Sequence, residues 1–459
     1  MPLFKLPGLS KCVGLGEREI VSAYGAGGKT SFLLRLAEEL SQENKKVILT
    51  TTTHILPPRN FPLVITSDFA EARRKLQSYL QRDNVVALGS AMLPGDKVKG
   101  IEAAWVDEFF SEGLAPYILV EADGAARRPI KGYAPYEPVI PQSSTTIVPV
   151  LGADALGLPI EAGFVHRPEL LVHQIGAAEG GLIGTDHFIR CLFFMLERGR
   201  RQAPSARAVP VVNKADLMKD KELLYAVVGA FSASSLSGVS RLLFTALSEE
   251  FPVQYIWGKP FLKPFVSCAI LSAGFSRRMG EDKLSLRFGE KTILEHAVGN
   301  ALQGGADEIF IVTRPEQEWV EKLFSGDKIR VVKNPFSAQG MSTSIKAAIS
   351  ACNPLAQGVI FALGDQPFID PEVYRALIKN YSRNLNLVTY PLFQGKKGNP
   401  QIFDRRTWPL LLTLQGDRGG RGIIPLLPEG EIRGVETPFP GVTVDIDTAE
   451  EYMKYRPPE

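Results

Sequence analysis

One stretch limits what this chain can fold into more than any other. A largely apolar run, Phe265 to Leu271, breaks into Ser272-Ala273-Gly274-Phe275-Ser276-Arg277-Arg278-Met279-Gly280-Glu281-Asp282-Lys283. The run predicts a buried strand, and the segment after it predicts a loop of small residues, two arginines and a lysine. A strand that feeds such a loop is where an α/β sheet holds a nucleotide, outside the carboxyl ends of its strands. Gly274 and Gly280 let backbone approach a phosphate, because no Cβ intervenes. Arg278 and Lys283 supply the charge that a triphosphate needs. No Gly-Lys-Ser/Thr follows, so this is not a Walker loop.

The rest of the sequence sets the frame around that stretch. A chain of 459 residues exceeds one hydrophobic core and predicts two to four domains. Its 52 basic and 50 acidic residues give a net charge of +2, which argues for neither nucleic acid nor membrane as partner. Cys12, Cys191, Cys268 and Cys352 are far apart and form no C-x-x-C pair, which argues against a disulfide framework or a zinc knuckle and suits a reducing cytoplasm. The first residues carry no sustained apolar core after their lysines, so a secretory leader is not expected. No apolar run reaches bilayer length.

A second phosphate loop is expected in the first half. Glu19 to Ala23 predicts a strand, Tyr24-Gly25-Ala26-Gly27-Gly28-Lys29-Thr30 a loop, and Ser31 to Leu40 an amphipathic helix. Strand, glycine loop, Lys-Thr and helix is the context of a P-loop, with Ala23 in place of its first glycine. Gly25, Gly27 and Gly28 turn N–H groups toward an anion, Lys29 reaches the outer phosphates, and Thr30 meets Mg²⁺. Lys46 to Leu49 predicts a strand running into Thr50-Thr51-Thr52-Thr53-His54, read either as a metal or phosphate lining or as an ordinary strand end. Tyr117 to Val120 predicts a strand ending in Glu121 and Asp123, and Glu121 is the expected acid for Mg²⁺ or its water. Arg127, Arg128 and Lys131 are expected to bind an anion, with a solvated basic turn as the alternative. Ala208 to Val212 predicts a strand followed by Asn213-Lys214-Ala215-Asp216. That N-K-x-D resembles the guanine-reading motif of GTPases, so Asn213, Lys214 and Asp216 favour GTP over ATP.

Trp257 to Pro264 holds two prolines and a glycine, and divides the chain into expected domains 1–255 and 265–459. Beyond it, strands alternate with helices: Glu308 to Thr313, Ile329 to Lys333 and Asn386 to Tyr390 predict strands, and Ile293 to Leu302, Gln317 to Phe324 and Met341 to Cys352 predict helices. Such alternation implies a parallel sheet. Val359 to Leu363 predicts a buried strand ending at Gly364-Asp365-Gln366-Pro367, where Asp365 can hold Mg²⁺. Val442 to Ile446 predicts a last strand, with a helix starting at Thr448. Asp447 stands at that strand's end and is expected to be the second Mg²⁺ ligand, with a helix cap as the alternative.

Two family likenesses follow from these residues. Leu271-Ser272-Ala273-Gly274, Arg278-Met279-Gly280, Lys283, Gly364-Asp365, Gly398-Asn399-Pro400, Gly416-Asp417-Arg418-Gly419-Gly420-Arg421 and Asp445-Ile446-Asp447-Thr448 run in order over residues 265–458. They resemble the molybdenum cofactor cytidylyltransferases. The resemblance implies a Rossmann-like nucleotidyltransferase fold and transfer of CMP from CTP to molybdopterin or the molybdenum cofactor. It implies nucleotide binding by Leu271, Ser272, Ala273, Gly274 and Gly280, catalysis by Arg278, Lys283 and Asp365, and substrate contacts by Gly398, Asn399 and Pro400. Arg418 and Arg421 either meet the pterin phosphate or cap a neighbouring helix. Ser272 departs from the usual alanine, so CTP is favoured over GTP but not secured. Gly27-Gly28-Lys29-Thr30, Thr50 to His54, Glu121-Ala122-Asp123-Gly124, Ile130-Lys131-Gly132, Pro138 to Pro141 and Val165-His166-Arg167 are similar to the selenium-dependent molybdenum hydroxylase accessory family. That likeness covers residues 1–250 and implies a P-loop protein in the maturation of such enzymes, with an apo molybdenum hydroxylase as a possible partner. Two other readings stay open: a cofactor chaperone that transfers nothing, and a sugar-nucleotide or isoprenoid nucleotidyltransferase.

Overall fold

Strand β1 (Glu19–Gly25) is buried at all seven positions, and so are β2 (Val47–Thr51), β4 (Val85–Gly89), β5 (Tyr117–Glu121) and β6 (Thr146–Gly152), with the short strand β3 (Leu63–Ile65) between β2 and β4 in sequence. Strands covered on both faces carry continuous apolar runs, and parallel pairing follows because helices connect them across the faces. The computed structural model of the chain describes residues 7–58, 60–234, 239, 241–258, 264–275, 282–324 and 329–456. It divides into two compact units, Gly8–Leu262 and Lys263–Glu459.

In the first unit the sheet continues through β7 (Arg207–Ala208), β8 (Val211–Asn213), β9 (Arg241–Thr245) and β10 (Val253–Gly258). The strand order is β10-β9-β8-β6-β1-β5-β2-β4-β3, with β7 also on β6, and only β10 runs antiparallel. The expected strand at Ala208 to Val212 is split, because Val209 and Pro210 intervene and proline has no N–H for the ladder. Helix α1 (Lys29–Gln42) buries Phe32, Leu33, Leu36, Ala37 and Leu40 on one stripe. Helix α2 (Phe69–Arg82) is capped by Asp68 and helix α3 (Thr185–Gln202) packs against β6. This topology brings the ends of β1, β5, β6, β8 and β9 to one edge, and with them Gly25, Glu121, Gly152, Asn213 and Thr245.

The second unit is built the same way on β11 (Phe265–Leu271). Its parallel neighbours are β12 (Glu308–Thr313) and β14 (Ala356–Leu363), and β13 (Ile329–Lys333) lies outside β12. Antiparallel β16 (Gln401–Asp404) follows β14, then β15 (Val388–Phe393), with β17 (Ile432–Glu436) parallel to β15. Helices α4 (Ile293–Gln303), α5 (Glu318–Leu323), α6 (Met341–Ala351) and α7 (Pro371–Asn384) connect the strands. The core gathers Ala269, Phe310, Ile345, Val359, Phe361, Phe403 and Trp408.

One expected element is absent among the described residues. Val442 to Ile446 is not a strand: a 3₁₀ turn spans Pro440–Thr443 and an unpaired extended segment follows. Its backbone groups are used by loops instead. Val442 C=O accepts from Asn399 N at 2.9 Å, and Ile446 N donates to Asp365 C=O at 3.1 Å. The helix after it, α8 (Ala449–Tyr455), forms where expected, with Thr448 and Glu451 making a reciprocal cap.

Candidate functional site

The second unit brings three sequence-chosen residues together. Lys283 Nζ donates to Asp365 Oδ2 and to Asp447 Oδ1, each at 2.7 Å. Asp365 lies two residues beyond β14, and the Ile446–Asp365 backbone bond holds Asp447 beside it. Burial disfavours charge on Lys283, but the two carboxylates outweigh it and raise its pKa, so the lysine stays cationic. Asp445 lies near the same group. Burial, Asp447 and Asp365 all raise its pKa. Asp365 Oδ1 is buried and has no hydrogen-bond partner among the described residues. An orphaned carboxylate oxygen at a strand end suits a hard cation.

Ser272 and Ala273 are buried at the end of β11, Leu271 is half-buried and Gly274 is exposed. Ser272 Oγ, Thr313 Oγ1 and Gln366 Oε1 are buried without partners among the described residues. They lie at the ends of β11, β12 and β14, so this sheet edge carries polar groups that the fold itself leaves unmet. Asn399 accepts from Arg421 Nη2 at 3.3 Å, and Gly398 packs on Val442. Arg418 and Arg421 are both exposed. The cap on α6 comes from their neighbours instead: Gly416 C=O accepts from Ser342 N at 3.0 Å, and Asp417 Oδ1 from Met341 N at 3.3 Å. Arg278 and Gly280 lie outside the described residues.

In the first unit the Gly25–Thr30 loop joins β1 to α1. Gly28 has φ +136°, and a Cβ there would stand 2.2 Å from Asn213 Nδ2. That same Asn213 amide donates to Gly27 C=O at 2.8 Å, while its oxygen accepts from Thr245 Oγ1 at 3.0 Å and Leu247 N at 3.3 Å. Asn213 therefore ties the glycine loop to the ends of β8 and β9. Lys214 pairs with Asp154, and Asp216 is exposed. Thr30 Oγ1 donates to Glu121 Oε2 at 2.7 Å, which puts the two expected metal-binding oxygens side by side. Burial raises the Glu121 pKa despite Lys29 nearby. Lys29 Nζ donates to Gly25 C=O at 2.7 Å and lies 3.2 Å from Asp123 Oδ1. Asp123 and Glu121 raise the Lys29 pKa against the effect of its burial.

Sequence reasoning did not foresee the ion network beneath that loop. Lys131, expected as an anion binder, is 1% exposed. Its ammonium donates to Glu137 Oε2 at 2.8 Å, Asp123 Oδ2 at 3.1 Å and Gly124 C=O at 2.6 Å. Asp123 also accepts from Gly25 N at 3.0 Å, and Glu137 from Arg167. Lys131 thus has every donor used internally, whereas Arg127 and Arg128 are exposed. Thr50, Thr51 and Thr52 give their hydroxyls to the carbonyls of Leu88, Glu121 and Val139, and His54 is exposed in a short ladder with Lys99. The tract finishes a strand and braces Glu121. No signal in the sequence marks Glu137 or Thr245: Glu137 matters through Lys131 and Arg167, and Thr245 through Asn213, 32 positions away.

The second unit is an α/β domain of the nucleotidyltransferase fold, in which a lysine is held between a carboxylate just beyond β14 and another on the extended segment before α8. Residues 268–430 match the family model of the MobA-like NTP transferase domain, and residues 21–169 match that of the YqeC protein. The chain thus joins a YqeC-like amino-terminal domain to a MobA-like NTP transferase carboxy-terminal domain. Its first part is 34% identical over 149 residues to the "Uncharacterized protein YqeC" of Escherichia coli (strain K12), covering 32% of this chain and 57% of that protein. Its second part is 28% identical over 188 residues to the "Molybdenum cofactor cytidylyltransferase" of the same organism, covering 41% of this chain and 94% of that protein. A similar solved structure, "Rv0371c from Mycobacterium tuberculosis H37Rv", has 24% identity and a TM-score of 0.38, over 42% of this chain and 97% of that one. No helix among the described residues is long and apolar enough to cross a membrane.

Proposed function

We propose that residues 265–459 transfer CMP from CTP to molybdopterin or the molybdenum cofactor and release pyrophosphate. The observation that carries this reading is Lys283 between Asp365 and Asp447, on a sheet edge with orphaned polar atoms. The likeness to a molybdenum cofactor cytidylyltransferase supports the acceptor and the base. A terminal phosphate oxygen of the pterin attacks the α-phosphorus. The new P–O bond forms as the bond to the β-phosphate oxygen breaks, and pyrophosphate leaves. The attacking oxygen is already anionic, so no general base is required, and catalysis consists of positioning and charge neutralisation. Lys283 neutralises the phosphates. Leu271, Ser272, Ala273, Gly274 and Gly280 form the nucleotide loop with Arg278, and Gly398, Asn399, Pro400, Arg418 and Arg421 face the pterin. Asp365 and Asp447 would hold Mg²⁺, which supplies charge stabilisation to the phosphates when bound.

Residues 1–255 form the second functional part, a P-loop domain that takes Mg²⁺ with GTP, or ATP, in the maturation of selenium-dependent molybdenum hydroxylases. Gly25, Gly27, Gly28 and Lys29 cradle the phosphates, Thr30 and Glu121 serve the metal, and Asn213, Lys214 and Asp216 flank the base. The tests are separate. Asp365→Ala removes pyrophosphate release with CTP, Mg²⁺ and the pterin, by about 10²-fold or more, while the variant stays folded. Lys29→Ala removes nucleotide binding by the first domain and leaves pyrophosphate release intact. Wild-type turnover in the first variant, or unchanged GTP and ATP affinity in the second, refutes the respective assignment. Preference for GTP in the release assay makes the second domain a guanylyltransferase.

A further inference from the structure

Lys283 has a neighbour that ought to compete for it. Asp282 is adjacent in sequence and its carboxylate is only 18% exposed, yet Lys283 reaches past it to Asp365 and Asp447. The reason is that Asp282 is already satisfied. Its Oδ2 accepts from Arg314 Nη2 at 3.1 Å, Gln317 Nε2 at 3.0 Å and Trp319 Nε1 at 3.3 Å. Its Oδ1 faces Leu284 N at 3.4 Å and caps the single 3₁₀ turn Lys283–Ser285.

The three donors stand on a rigid base. Arg314 and Gln317 directly follow β12, and Gln317 is buried. Gln317 Oε1 accepts from Arg314 N at 3.1 Å, and Gln317 N returns a bond to Arg314 C=O at 3.1 Å. The other arm of the Arg314 guanidinium donates to Gly274 C=O, and its centre lies 5.2 Å over the Phe275 ring. One arginine therefore grips the loop three residues beyond β11 and the residue that precedes Lys283. Both arms of its planar fork are used, a geometry that lysine's single ammonium cannot reproduce.

We propose that Arg314 and Asp282 are the positioning pair for Lys283, with Gln317 and Trp319 completing the bracket. The proposal rests on the nucleotidyl-transfer reading. In this role both act through Lys283. The bracket cancels the charge beside Lys283, anchors the turn that carries it, and aims its ammonium at the site between Asp365 and Asp447. A shift of about 1 Å in such a group costs on the order of 10²-fold in rate.

The test uses the full chain and four variants: Arg314→Ala, Arg314→Lys, Asp282→Asn and the Arg314→Ala/Asp282→Asn double variant. Pyrophosphate release is followed over a range of CTP concentrations and normalised to folded protein. Arg314→Ala is expected to lose roughly 10–100-fold, mainly in kcat rather than KM. Arg314→Lys regains part of that loss, and the double variant is no worse than its poorer parent, as expected for one coupled unit. Trp319 emission, taken as the difference from a Trp319→Phe reference, shifts in both Arg314→Ala and Asp282→Asn. Unchanged kcat per folded molecule, or losses that simply multiply in the double variant, overturns the proposal. Should the wild type release no pyrophosphate with any nucleotide, the transfer reading fails by itself. The bracket is then judged by Trp319: a shift in both single variants supports it, and no shift overturns it.

Discussion

Replacing Lys131 with methionine tests the ion network under the glycine loop of the first unit. The substitution keeps a long side chain and deletes an ammonium that serves Asp123, Glu137 and Gly124 C=O. Breaking a buried pair costs about 3–5 kcal/mol, because the remaining charge is left without its partner. Here Asp123 keeps Lys29 and Gly25 N, and Glu137 keeps Arg167, so the lower end, about 3 kcal/mol, applies. For a domain of this size each kcal/mol moves Tm by about 2–4 °C, which gives a loss of roughly 6–12 °C at pH 7. The pH dependence adds a second check. Burial pushes the Glu137 pKa up, but Lys131 and Arg167 more than reverse this and hold it below the usual range. A carboxylate with a depressed folded-state pKa adds stability above its unfolded value, and that stability is lost as pH falls through the folded one. The gap in Tm between wild type and Lys131→Met should therefore be full at pH 7 and narrow below about pH 4.5. Differential scanning calorimetry at pH 7, 5 and 4 reads both effects. Arg127→Ala and Arg128→Ala, at exposed positions, should stay within about 0.5 kcal/mol of wild type. The reasoning is refuted if Lys131→Met melts within about 1 °C of wild type and only loses anion affinity, because surface ion pairs are worth about 0–1 kcal/mol. A gap that does not change with pH refutes the linkage part.

Two further substitutions probe the same loop. Glu121→Gln should melt higher than wild type at pH 7, since burial raises the Glu121 pKa and its ionised form subtracts stability above about pH 4.5. The same variant should lose Mg²⁺-dependent nucleotide binding in calorimetric titration, and a lower Tm or unchanged affinity counts against the assignment. Gly28→Ala meets a positive φ and the Asn213 amide at once, so it should cost about 1–3 kcal/mol and weaken nucleotide binding. A variant as stable as wild type would show that the loop relaxes freely.

Several elements were legible because their signals are local. The strand-to-loop passage from Phe265 to Gly274 and the Gly25–Thr30 loop each depend on a few adjacent residues: apolar side chains, then glycines, then a cation. Helix α8 was legible through Thr448 and Glu451, three residues apart. The segment from Val442 to Ile446 misled for a related reason. Its alternation suits a strand, but Pro440, Gly441 and the demands of Asn399 and Asp365 draw its backbone groups elsewhere. Lys131 misled because charge in a turn usually means solvent, and only burial beside Asp123 and Glu137 makes it internal.

By itself, then, the sequence pointed to two glycine-bearing loops after buried strands, to their α/β setting, and to Lys29, Thr30, Lys283, Asp365 and Asp447 as residues to watch. The tertiary structure decided which charges meet. Lys283 and Asp447 are 164 positions apart, and Gly27 and Asn213 are 186 apart. No local rule fixes such pairs. They follow from strand order, which brings distant strand ends to one edge, and from burial, which makes every polar group there find a partner or remain open for a ligand.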